Sequence, residues 1–220
     1  GLWVRGGTLV ATASDLLRYG DGTRGFLDTT GRHTPLGGVV IFRALSDGFV
    51  ELAGPSMNDQ METLRNTLHA LGADIVLIDG AISRKSLAAP AVSEAVILCS
   101  GASYSPDMDT VVADTAYACR LLMLPKADDV HERQHVLPGA ATDAAVKQLS
   151  LRDGDEIIVG DGSRMLVSRQ VFERLTARGI RFWVQHPSNL CCVCINPFSA
   201  YGAAFDKEQF RARMAAAVPV

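Results

Sequence analysis

Asp79 ends a run of four apolar residues, Ile75-Val76-Leu77-Ile78. Gly80 follows, and then Ser83, Arg84, Lys85 and Ser86. The apolar run predicts a buried strand, with Asp79 at its carboxyl end. Open α/β sheets bind ligands at the carboxyl ends of their strands. A carboxylate there can hold Mg²⁺ through water, and cationic and hydroxyl groups close by suit a phosphate. A carboxylate at the end of such a strand is costly to bury unless it is paired or holds a ligand. A helix N-cap or an ion pair with Arg84 would meet that demand equally well. The layout recurs at Ala95-Val96-Ile97-Leu98-Cys99, which empties into Ser100-Gly101-Ala102-Ser103. It recurs again where Leu190–Ile195 runs into Asn196-Pro197-Phe198-Ser199-Ala200-Tyr201-Gly202. Asp161-Gly162-Ser163-Arg164 follows a further strand in the manner of a turn. Small polar loops after several strands point to one shared site. Asn196 is either a reader of a substrate amide or base, or a satisfied turn residue.

Two other groupings carry chemistry on paper. His131-Glu132-Arg133-Gln134-His135 matches H-E-x-x-H, which on a helix places two imidazoles on one face for zinc. Metalloprotease helices bury the two middle positions, and here these are Arg133 and Gln134. Pro138 also ends any helix within a few residues, so the segment reads as a polar loop and no zinc is expected. Cys191, Cys192 and Cys194 lie on one predicted strand, where Cys192 and Cys194 share a face and Cys191 points away. No second Cys or His pair stands at zinc-finger spacing. These thiols read as small core hydrophobes.

The elements that must position these residues follow from periodicity and turn chemistry. Strands are predicted over residues 8–12, 25–30 and 38–44. Asp47-Gly48 is a hairpin signal leading into Phe49–Leu52, so an antiparallel hairpin is expected over residues 38–53. Ser14 is the expected cap of a short helix ending at Tyr19. Met61, Leu64, Leu68 and Leu71 recur at helical spacing and predict a helix over residues 59–71, stopped by Gly72. Further helices are expected over residues 107–123, over 143–149 capped by Thr142, over 168–178, and after Asp206. Strands are expected over residues 156–159 and 180–185. Residues 125–140 read as a polar loop or a short exposed helix, and the stretch from Lys126 to Gly139 is the one candidate internal boundary. The rhythm of helix, strand and loop predicts a single α/β domain over residues 1–220. Its sheet is mainly parallel and flanked by helices, in the Rossmann-like or P-loop NTPase-like class.

Composition narrows the function classes. The chain has 220 residues, 48% hydrophobic and 20% charged, enough for a sizeable core. A net charge of -3 with no basic cluster longer than Arg84-Lys85 excludes a nucleic-acid footprint. No apolar run reaches membrane-spanning length, and no signal peptide is visible. Five cysteines without framework spacing argue for a reducing cytoplasm. The opening Gly1-Leu2-Trp3 reads as the start of a processed or truncated product.

Several segments in order resemble the lysine 5,6-aminomutase reactivase family. They are Thr8–Ala13, Thr34-Pro35-Leu36-Gly37, Glu51-Leu52-Ala53-Gly54-Pro55-Ser56, Ile78-Asp79-Gly80-Ala81 with Arg84, Ser100-Gly101-Ala102, and Asn196-Pro197-Phe198-Ser199 with Tyr201-Gly202. The motifs are short, and their weight lies in their order along nearly the whole chain. The resemblance implies a P-loop-type fold, ATP and Mg²⁺ as cofactors, and a chaperone-like exchange of damaged cobalamin. The partners it implies are an adenosylcobalamin-dependent aminomutase and a second reactivase subunit, in an oligomer. It gives Asp79 a catalytic, Mg²⁺-holding role. Nucleotide contacts would fall to Gly80, Arg84, Lys85, Ser86, Ser100, Gly101 and Asn196. The family's amino-terminal phosphate loop is absent here, so ATP hydrolysis would need residues outside this sequence. Two other readings of the same loops remain. One is a ligase- or kinase-like enzyme of small molecules, and the other is a non-catalytic interaction subunit.

Overall fold

The computed structural model describes residues 1–55, 57–80, 89–128, 133–202 and 204–218. The fold is mixed α/β, with several small sheets and flanking helices. The chain divides into two compact units, Gly1–Ala81 and Ile82–Val220.

In the first unit β1 is Leu2–Val4, β2 Leu9–Ala13, β3 Arg24–Thr34, β4 Gly37–Ala44, β5 Gly48–Val50, and α1 Asn58–Ala70. Strands β2, β4 and β3 form an antiparallel sheet in that order. Alternation along β4 sends side chains to opposite faces of the sheet. Val39 and Ile41 pack with Leu64 and Leu68 of α1. Phe42, on the other face, packs with Val10 and Val50. Gly72 ends the helical region at φ +97°, a value that favours glycine.

Three expectations change here. An antiparallel sheet is present, but β4 and β5 are not a hairpin. Both edges of β4 are taken by β2 and β3, and β5 instead pairs antiparallel with β1. The Asp47-Gly48 turn is tied elsewhere: Gly6 N donates to Asp47 Oδ1 at 2.8 Å, and Phe49 N donates to Asp21 Oδ1 at 2.6 Å. Residues Ser14–Tyr19 form a 3₁₀ helix on which Ser14 is not the cap. Residues 75–80 are not a strand among the described residues. Val76 packs against the Val39–Leu64 cluster, whereas Ile75 and Leu77 are 79% and 84% exposed. A four-residue apolar run looks buried on both faces, but only one side of this segment meets a core.

In the second unit β6 is Val96–Gly101, α2 Met108–Leu122, β7 Gln134–Val136, β8 Ala141–Thr142 and α3 Asp143–Lys147. Then come β9 Glu156–Val159, β10 Met165–Leu166, α4 Arg169–Ala177, β11 Arg181–Val184, β12 Leu190–Asn196 and α5 Lys207–Ala217. The parallel sheet β11-β9-β7 is covered by a core that includes Ile157, Val159, Phe172, Leu175 and Phe182. Strand β7 falls inside the stretch read from sequence as a loop or short exposed helix. Of the H-E-x-x-H motif, His131 and Glu132 lie outside the described residues, while Gln134 and His135 are on a strand rather than a helix.

Strand β6 pairs in parallel with β12. One face of this pair carries Leu98, Leu190, Val193 and Ile195 against α2 and α5, around the fully buried Val111 and Phe210. The other face carries Ile97, Cys99, Cys192 and Cys194, and it is exposed. The cysteines of β12 are therefore not core residues. Their apolar neighbours alternate with them, and only the alternate set is covered.

Candidate functional site

The loops that leave β6 and β12 meet at the carboxyl ends of these strands. The register places Ile195 opposite Ser100 and Asn196 opposite Gly101. Ala102 N donates to Asn196 O at 3.0 Å, extending the ladder beyond the strands. Ala200 N donates to Ser103 Oγ at 3.4 Å, which joins the two loops directly. Segments almost a hundred residues apart in sequence thus form one surface. Of the residues expected to bind a ligand, the fold brings together Ser100, Gly101 and Asn196.

Their chemistry differs from residue to residue. Ser100 Oγ lies 2.6 Å from Thr115 Oγ1, and Thr115 in turn donates to Val111 O at 2.7 Å. Thr115 is buried, so Ser100 fastens β6 to α2 and faces the helix. Asn196 Oδ1 accepts from Phe198 N at 3.0 Å, which shapes the turn after β12. Its Nδ2 takes no part in that turn. Ser199 Oγ accepts from Tyr201 N at 3.0 Å, and Gly202 continues at φ +91°. Phe198 and Tyr201 are held outward, 65% and 87% exposed.

Beside this surface stands a group that sequence reasoning missed. Tyr104 Oη donates to Asp114 Oδ2 at 2.9 Å, and Arg169 donates to Asp114 Oδ1 at 3.1 Å. The bond to the Asp114 carboxylate raises the Tyr104 phenol above its ordinary value, aided by burial. Asp114 sits inside a helix, Tyr104 in a turn, and Arg169 is more than fifty positions away. No local pattern links them.

The start of α2 decides what kind of ligand the surface suits. Helix N-termini attract anions. Here Asp107 occupies the place: its carboxylate accepts from Thr110 N at 2.9 Å and from the Thr110 hydroxyl. These bonds hold the Asp107 carboxyl below its usual range. Asp109 in the first turn is paired with Arg213. The helix is closed by its own carboxylates and offers no vacant place for phosphate. What remains is an amide nitrogen, hydroxyls and two aromatic faces, the chemistry of hydrogen bonding and stacking. Among the described residues no cluster of His, Cys, Asp or Glu is disposed to hold a metal ion.

Asp79 and Gly80 belong to the first unit, in the exposed segment after α1. Arg84, Lys85 and Ser86 lie outside the described residues. Asp161, read as a turn residue, is one: it accepts from Ser163 N at 2.9 Å and caps the 3₁₀ turn Gly162–Arg164. At the amino edge of β9, Asp155 collects Arg152 N at 2.8 Å, His135 Nε2 at 3.2 Å and Arg133 Nε at 3.3 Å. That edge is opposite to the one where ligands bind in such sheets, so the cluster reads as structural.

Comparison with family models, with curated proteins and with solved structures finds no match to this chain. No helix of the described residues is long and apolar enough to cross a membrane. Function is therefore read from the residues themselves.

Proposed function

We propose that this chain is a nucleotide-linked reactivation or assembly factor for an adenosylcobalamin-dependent aminomutase such as lysine 5,6-aminomutase. The observation that supports it is the meeting of Ser100-Gly101-Ala102 with Asn196-Pro197-Phe198-Ser199 at the ends of β6 and β12. Both belong to the ordered motifs that resemble the reactivase family. In this reading Asn196 and the exposed rings of Phe198 and Tyr201 receive the base of ATP. Asp79 holds Mg²⁺ through water, and Arg84, Lys85 and Ser86 contact phosphate. The factor works in the cytoplasm, in an oligomer with the aminomutase and a second reactivase subunit.

Calorimetric titration of Mg²⁺–ATP into the full chain tests this reading. Binding that weakens at least tenfold in both Asp79→Ala and Asn196→Ala is the expected result. Heat that is absent from the unsubstituted chain, or unchanged in both variants, overturns it. Recovery of a cobalamin-inactivated aminomutase, on addition of the chain, its partner subunit, ATP and fresh adenosylcobalamin, tests the role itself.

One observation favours a second reading, a non-catalytic interaction subunit. The N-terminus of α2 is closed by Asp107 and carries no place for phosphate. A stable complex with the aminomutase that forms equally well without ATP would select this reading.

A further inference from the structure

Four of the five cysteines lie on β6 and β12, and three of them share the exposed face of that pair. Cys194 stands in register with Cys99 across the two strands. Cys192 precedes Cys194 by two positions and so projects on the same side. None of the five is in a disulfide. The fifth, Cys119, is fully buried in α2.

We propose that Cys99 and Cys194 form a reversible redox pair, oxidised to a disulfide by small-molecule disulfides of the glutathione class. Neighbouring strands run about 4.8 Å apart, which brings register partners inside the window of about 4.4–6.8 Å between Cα atoms that a disulfide requires. Residues two apart on one strand are separated by about 6.6 Å, at the limit of that window. Cys99–Cys194 is therefore the favoured bond over Cys192–Cys194. The geometry also makes the bond labile. Side chains in register on these parallel strands stand about one strand spacing, about 4.8 Å, apart, and a relaxed disulfide wants about 3.8 Å between its Cβ atoms. Closing it draws the strands together, and strained disulfides are the easily reduced ones. Such a bond behaves as a switch rather than as a permanent staple.

The chemistry balances in two exchanges. The Cys194 thiolate attacks one sulfur of the small disulfide, forming a mixed disulfide. The departing thiolate takes up the proton that Cys194 released. The Cys99 thiolate then attacks the Cys194 sulfur and expels the second small thiol, which is protonated likewise. Two protein thiols lose two electrons and two protons, and one small disulfide becomes two thiols. Cys192 is the bystander of the three. Across the strands it faces Ile97 rather than Cys99. The bond would close one position before Ser100 and two before Asn196, and so would pin the strands that carry the candidate site. The proposal does not depend on what that site binds.

Treating the full chain with excess oxidised glutathione, blocking the remaining thiols with an alkylating reagent and mapping peptides by mass spectrometry tests it. The expected result is a Cys99–Cys194 link that dithiothreitol reverses, with Cys119 unmodified until the protein is unfolded. In Cys99→Ser the reaction stops at glutathione on Cys194, and in Cys194→Ser it stops on Cys99. Both substitutions are near-isosteric, and circular dichroism checks that each variant keeps the fold. Four thiols of β6 and β12 that stay unreacted overturn the proposal. A link that maps to another pair overturns it too, as does one that forms unchanged in Cys99→Ser.

Discussion

Gly101 and Asn196 approach each other so closely that a Cβ on Gly101 would collide with Asn196 O. The obstacle is backbone, fixed by the bond from Ala102 N to the same carbonyl, so it cannot swing aside. Glycine at this position is what lets the two loops join. Gly101→Ala is expected to lower stability by about 1–3 kcal/mol, the range for overpacking a tight site. The urea midpoint reads the loss. A midpoint unchanged from the parent chain would mean that the two strand ends are not in contact. Ser103→Ala, which removes only one long hydrogen bond, is the mild control.

Asp155 links acid stability to the β7–β9 edge. The Arg152 backbone N–H holds its carboxyl below the usual range, helped by His135 and Arg133. Its pKa is therefore lower in the folded chain than in the unfolded one, where it is about 3.9. Between the two values the unfolded state binds more protons, so stability rises with pH there. The contribution is complete above about pH 5 and disappears as pH falls through the folded value. Asp155→Asn should flatten the acid limb of a plot of urea midpoint against pH. An acid limb of the same slope in both proteins would argue against the cluster.

The phenol of Tyr104 is tied to Asp114, and that of Tyr117 is half-buried with its hydroxyl donating to Val167 O at 2.6 Å. Burial pushes the Tyr117 phenol up to about 12. Both are expected to ionise above the ordinary phenol range in a spectrophotometric titration. Asp114→Ala should move the Tyr104 transition toward lower pH and leave the Tyr117 transition in place. Tyr104→Phe assigns the signal by deleting it.

Helix α5 is anchored by Phe210 and Met214, and its first turn is closed by Asp206, whose carboxylate accepts from Gln209 N at 2.7 Å. Asp206→Ala removes the cap and should cost about 1 kcal/mol. Phe210→Ala opens a cavity beside Val111 and should cost about 3–5 kcal/mol. Thermal unfolding that ranks the two variants the other way would contradict the packing of α5 on α2.

Features decided within a few residues were legible in the sequence. Thr142 and Asp206 each cap the helix that follows, because a side-chain oxygen needs only to reach an N–H two or three positions on. The stop at Gly72 and the strands around Ile157 and Phe182 are equally local, set by backbone freedom and apolar pattern. Of the candidate site, the two loops were visible as small polar segments after apolar strands.

Whether an apolar strand is covered was not legible, because it depends on what the rest of the chain brings to each face. Ile75–Ile78 and Leu190–Ile195 carry no charged residue, yet both show one side to solvent. Nor could sequence choose a partner for β5, since that choice turned on β4 having both edges occupied. Hydrogen bonds between strands and contacts between distant side chains are made in three dimensions. Only the tertiary structure could set Asn196 against Gly101, Tyr104 against Asp114, and Cys194 beside Cys99.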